Sequence, residues 1–207
     1  MSQTSKKSKR EAARQARLEA ERRRRQAQQR KKVVTAVAVA TLIVAAAVVG
    51  VILVRSSNQN VAQSAKAAGC SADRTFDDQG QTHIRQGESH PAYNSNPPTS
   101  GWHYASPAGW GDYDQRVETE TLVHNLEHGG VVVQYKDLPD RQLDQLLKLV
   151  DGYAEGVIVA PNPKIDKPIA ITAWRHLMTC QRFSEPVVKD FIKERCGKGP
   201  EQVGIAC

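Results

Sequence analysis

At 207 residues the chain has room for one ordinary domain with appendages. Its formal net charge of +7 is unevenly placed: residues 1–32 hold 13 Lys/Arg against three Glu, while the other 16 basic and 19 acidic residues sum to −3. The basic balance therefore belongs to the amino-terminal tail, and it excludes charge as an argument that the rest of the chain binds nucleic acid.

Residues 1–32 are rich in Arg, Gln, Ala and Glu with almost no large apolar side chain, a composition too polar to fold alone, so disorder or transient helix is expected there. Residues 33–54 follow without a single charge and are nearly all Val, Ala, Ile and Leu. At about 1.5 Å per residue this stretch crosses a ~30 Å hydrocarbon core. A cleaved signal peptide has a shorter apolar core, roughly 7–15 residues, behind a short basic region. Here the apolar run is longer and 32 residues precede it, so an uncleaved anchor is expected.

With thirteen basic residues before the span and only Arg55 at its far end, the positive-inside bias puts the tail in the cytoplasm and everything beyond Arg55 outside, in a single-pass protein of the cell membrane. The lipid bilayer is thus a partner through residues 33–54. Attraction of the tail to anionic lipid is a simpler account than a nucleic-acid arm, and no specific nucleic-acid binding is expected. No protein partner can be read from the residues.

Residues 55–69 are Ser, Asn, Gln and Ala-rich and read as a polar spacer. The domain, residues 70–207, contains all four cysteines, Cys70, Cys180, Cys196 and Cys207, on the side where disulfides persist. Four cysteines allow three pairings, and Cys180–Cys196 with Cys70–Cys207 is the tidiest of them. From Cys70 to Thr121 there is little periodicity and much Pro and Gly, an irregular length that in a compact domain is more often functional than idle.

The remainder is regular. Strands are expected at Val131–Tyr135, Gly156–Val159 and Ile169–Trp174, with helices near 140–150 and 185–195, the second capped by Ser184-Glu185-Pro186. This order gives an α+β fold: a small single-sheet domain with helices on a face, preceded by a turn-rich segment and one transmembrane helix.

The chemistry-bearing stretch is His124-Asn125-Leu126-Glu127-His128-Gly129-Gly130. Histidines four apart share one face of a helical turn and can hold one ion, and Gly-Gly releases the chain into the strand that follows. Two rings supply only two of about four ligands in a tetrahedral site, so others come from elsewhere. His103 is the first candidate, since Pro97-Pro98 stiffens its arm and Gly101 lets the backbone turn; His83 is next and His90 behind it. Glu127, about 100° off the histidine face, is assigned to orienting an imidazole or to an open position. His176 is left out. Imidazole ligands accept copper or zinc.

Two other readings of the same residues stand beside metal binding. His124-Asn-Leu-Glu-His128 fits the inverted zincin pattern H-x-x-E-H, with Glu127 as general base of a metallopeptidase, although that motif is set on a long helix. Trp102, Tyr104, Trp110 and Tyr113 could serve a non-enzymatic envelope adaptor that binds a protein or glycan, or pack the loops together. Ser100 lacks a nucleophile-elbow setting and no C-x-x-C is present.

Asn96-Pro-Pro-Thr-Ser-Gly-Trp-His103, Gly111-Asp-Tyr113, Val123 to Tyr135, Ala160-Pro-Asn-Pro163 and Ile169 to Trp174 together resemble the bacterial envelope family catalogued as domain of unknown function 3105. The resemblance covers roughly residues 70–200 and implies a membrane-anchored or secreted domain with no agreed activity. Where some members carry a cysteine, this chain has Trp110.

Overall fold

The computed structural model describes residues 3–207 except 202 and 206. Two compact units make up the chain, Met1–Ser57 and Asn58–Cys207. Helix α1 (Gln3–Ala68) supplies the first unit and the opening of the second. It is the one described helix long and apolar enough to cross a membrane. The described side chains of residues 33–54 are all exposed. The segment read as a spacer is helical through Ala68, and Ala65 and Ala68 lie against the domain core.

The second unit continues with β1 (Arg74–Thr75), β2 (His83–Ile84), β3 (His103–Tyr104), β4 (Gly111–Asp112), α2 (Thr119–Glu127), β5 (Val131–Tyr135), α3 (Asp140–Val150), β6 (Val157–Pro161), β7 (Ile169–Ala173), β8 (His176–Cys180) and α4 (Glu185–Arg195). Six of the strands form one sheet in the order β1-β8-β7-β5-β6-β4, and β2 with β3 forms a separate ribbon. The three expected strands share this sheet, β5 running parallel to β6 and antiparallel to β7. The fold is α+β.

Side-chain alternation sorts the two faces. Val131, Val133, Val157, Val159, Ile169 and Ile171 point to one side, where they meet Leu146 and Val150 of α3 and Val188, Phe191 and Ile192 of α4. Val132, Ile158 and Ala160 point to the other, where Leu122, Val123 and Leu126 of α2 cover them together with Trp174. Helices thus lie on both faces, and burial on both sides explains why β5 reads as an unbroken apolar run.

Strand β8 carries no alternating signal in sequence. It forms because Arg175, at φ 65°, turns the chain back so that Ala173 pairs with His176. The expected disulfides are corrected: the pairs are Cys70–Cys180 and Cys196–Cys207. The reason is local. Ser71 N–H donates to Thr179 O at 2.8 Å and Thr179 N–H to Ser71 Oγ at 3.1 Å, which sets Cys70 beside Cys180. Cys196 lies at the far end of the 11-residue α4 from Cys180, a helix of roughly 16 Å, and is met instead by the returning carboxyl terminus.

Candidate metal centre

The amino-terminal end of β5 is where the histidines gather. Helix α2 ends at Glu127 and His128 caps it, its N–H bonded to His124 O at 3.1 Å. Gly129 then takes φ 90°, a left-handed turn that suits glycine, and Gly130 enters the strand. A Cβ on Gly130 would lie 2.6 Å from the Trp110 ring, so the second glycine is required by packing. Asn125, fully buried, clamps the neighbouring loop by donating to Ala108 O and accepting from Ala108 N–H, each at 2.9 Å.

The other two rings arrive on the ribbon. Parallel pairing of β2 with β3 sets His83 opposite His103, and the ribbon packs on α2. Gly101, at φ 110°, makes the turn that precedes β3, and its carbonyl accepts from His103 Nδ1 at 2.7 Å. His83 lies with its ring stacked on His124 (centroids 5.2 Å) and edge-on to His103 (4.8 Å).

One ligand atom from each of His83, His103, His124 and Glu127 lies within 4.8 Å of the others, and the same holds for His124, Glu127, His128 and Glu201. The structure therefore brings together all four expected histidines and Glu127 as two overlapping quartets that share His124 and Glu127. His103 and His128 fall in different quartets. His90 stands apart, stacked on Trp102 and 3.4 Å from Glu120, and His176 pairs with Asp73 at 3.2 Å.

Carbonyl oxygens only accept, so the contacts to Gly101 O and, at 2.6 Å, Tyr104 O place a proton on Nδ1 of His103 and of His124. The other ring nitrogen of each, Nε2, is turned into the cluster. His103 Nε2 faces Glu127 Oε2 at 2.9 Å, and His124 Nε2 faces His128 Nε2 at 3.0 Å. Burial, helped by the neighbouring His128 and His103, holds the His124 pKa below the usual imidazole value against the opposing pull of Tyr104 O and Glu127. Either a shared proton or a cation can lie between the members of each pair. This is a His/Glu cluster that could hold a metal ion.

Three participants left no pattern to find in sequence. Gln81 donates to Glu127 Oε1 at 2.9 Å, and Glu201 lies 2.9 Å from His128 Nε2. Glu201 belongs to a carboxyl-terminal strap laid along the turn through Gly197 N–H to Gly129 O at 2.9 Å and Glu201 N–H to Glu127 O at 3.2 Å. The third, Asn125, lies within the histidine stretch but makes its contacts to a distant loop.

Fold and site together define an α+β domain built around a histidine-carboxylate cluster, in a chain with one apolar helix able to span a membrane. Residues 83–207, more than half of the chain and including every residue of the cluster, match the family described as protein of unknown function (DUF3105), and the chain belongs to it. No curated protein and no solved structure matches the chain.

Proposed function

We propose that the domain binds a transition metal, copper or zinc, through His103, His124, His128 and His83, with Glu127 alongside. We place it outside the cell membrane, anchored by residues 33–54 with the tail in the cytoplasm. One observation carries the metal reading: His103 and His124, each oriented by Nδ1–H to a backbone carbonyl, both turn Nε2 into the cluster, where it meets Glu127 Oε2 at 2.9 Å and His128 Nε2 at 3.0 Å. In a tetrahedral site with bonds of about 2.0–2.1 Å, ligand atoms sit roughly 3.4 Å apart. Within each quartet the ligand atoms lie within 4.8 Å of one another, near that spacing, and the two quartets join through His124 and Glu127.

Binding is favoured over peptide hydrolysis. The inverted zincin motif sits on a long helix, whereas α2 has nine residues and stops at Glu127, whose two oxygens lie 2.9 Å from Gln81 Nε2 and His103 Nε2. The aromatic loops favour packing, since Trp110 fills the space over Gly130 and Trp102 stacks on His90.

The test is metal content of the full-length protein, purified in detergent without a histidine tag and dialysed after exposure to copper or zinc. Stoichiometric retention is expected, with His124→Ala weakening it by roughly 100-fold or more and His90→Ala leaving it unchanged. A wild-type protein that retains neither metal overturns the reading.

A further inference from the structure

Away from the histidines, a cavity of about 350 Å³ opens between β1, the β7–β8 turn and the carboxyl-terminal strap, bordered by Trp174, Arg175, His176, Arg195 and Lys198. We propose that it binds a small organic anion, through a carboxylate or phosphate group held by Arg175 and Lys198.

A count of donors and acceptors carries the argument. The carboxylates at the cavity are already used. Asp78 accepts from Gly80 N–H at 2.8 Å and from Trp174 Nε1 at 3.2 Å. Asp73, beside it, takes Arg195 Nε at 2.9 Å and Nη2 at 2.7 Å on one oxygen and lies 3.2 Å from His176 Nδ1 through the other. The cations are not used to the same degree. Arg175 spends only Nε, on Phe76 O at 3.0 Å, and among the described residues its two terminal nitrogens and the Lys198 ammonium have no partner.

Arg175 is also held in place. Its backbone sits at φ 65°, a conformation rare for a residue with a side chain, and its N–H is tied to Thr99 O at 2.9 Å. A guanidinium fixed at one nitrogen and open at two presents the planar fork that matches a carboxylate or phosphate edge. Lys198 adds a second charge from the strap. Ala173, Trp174 and Pro200 give the cavity an apolar wall, so the occupant has a carbon body as well as an anionic head. Neither Arg175 nor Lys198 belongs to the histidine cluster, although Gly199 of the same strap packs so closely on Glu127 O and Gly129 N that no Cβ fits there.

Calorimetric titration of the full-length protein with citrate, glycerol phosphate and inorganic phosphate tests the proposal. Saturable binding of citrate or glycerol phosphate is expected, tighter than inorganic phosphate, and which of the two binds separates carboxylate from phosphate recognition. Lys198→Ala, at an exposed residue without a partner, should weaken binding about tenfold while leaving metal content unchanged. Arg175→Gln should weaken it at least as much, and Arg175→Lys should restore only part, because charge returns without the fork. The proposal fails if none of the three anions saturates, if inorganic phosphate alone binds, or if Lys198→Ala and Arg175→Gln both bind as the wild type does.

Discussion

His124 is the residue on which the two quartets turn, and its surroundings set how the protein responds to acid. Burial first, and then its imidazole neighbours, hold its pKa in the folded chain below the ordinary value. In the unfolded chain it titrates near that ordinary value, about 6.5. Between the two the unfolded state binds more protons, so stability rises with pH across that window and falls as acid carries the folded ring through its own pKa. Thermal melts of the metal-free protein should therefore shift downward as pH drops below about 6.5, and His124→Gln should flatten that dependence. A midpoint that climbs on acidification would contradict the assignment. Glu127→Gln bears on the same cluster differently: it removes the charge facing His103 but keeps the side-chain volume. Metal retention measured by dialysis should drop by about tenfold or more, with little change in the melting midpoint. Residue identity was legible here to an unequal degree. The i, i+4 histidines and the Gly-Trp-His arm announce themselves by spacing and turn chemistry. Glu201 does not, because its place at His128 depends on a strap that returns from beyond α4.

At the scale of elements, the part of the chain that resisted sequence reading is the part that builds half of the site. Strands β2 and β3 are two residues each and pair in parallel, so neither length nor alternation can reveal them. Their pairing is fixed from outside, by Gly101 N–H to Gly80 O at 3.0 Å and His103 N–H to Thr82 O at 3.1 Å. By contrast α3, α4 and the three central strands have apolar faces that must be buried, and burial leaves a periodic trace. The disulfides were illegible for the same reason as the ribbon, since each pairing depends on where an irregular end folds back. Gly101 joins the two kinds of information: its need for φ 110° follows from its position before His103, and its crowding by Tyr93, 3.3 Å from where a Cβ would lie, does not. Gly101→Ala places a side chain in a left-handed conformation, at a cost of about 1–3 kcal/mol, and moves the carbonyl that anchors His103. A lower melting midpoint and roughly tenfold weaker metal retention are expected. An unchanged metal affinity would show that His103 is not held by that turn.

For the whole molecule, the proposed anchoring by residues 33–54 makes a testable statement about which side of a membrane the domain occupies. Two independent features bear on it. Thirteen basic residues precede the apolar span and Arg55 alone closes it, an asymmetry that supports the proposed cytoplasmic amino-terminal end. All four cysteines lie beyond the span and are joined in two pairs, a state that persists where no thiol buffer keeps cysteines reduced. Charge bias acts during insertion and disulfide survival acts afterwards, so agreement between them is not built in. Protease added to cells stripped of any wall should remove residues 58–207 and leave the tail with its helix, while a thiol-reactive label applied without reductant should find no free cysteine. Digestion of the tail in intact cells with the domain protected would reverse the topology. Labelling of all four cysteines in the unreduced protein would separately show that the domain matures in a reducing compartment, and with it the histidine cluster would face the cytoplasmic metal pool.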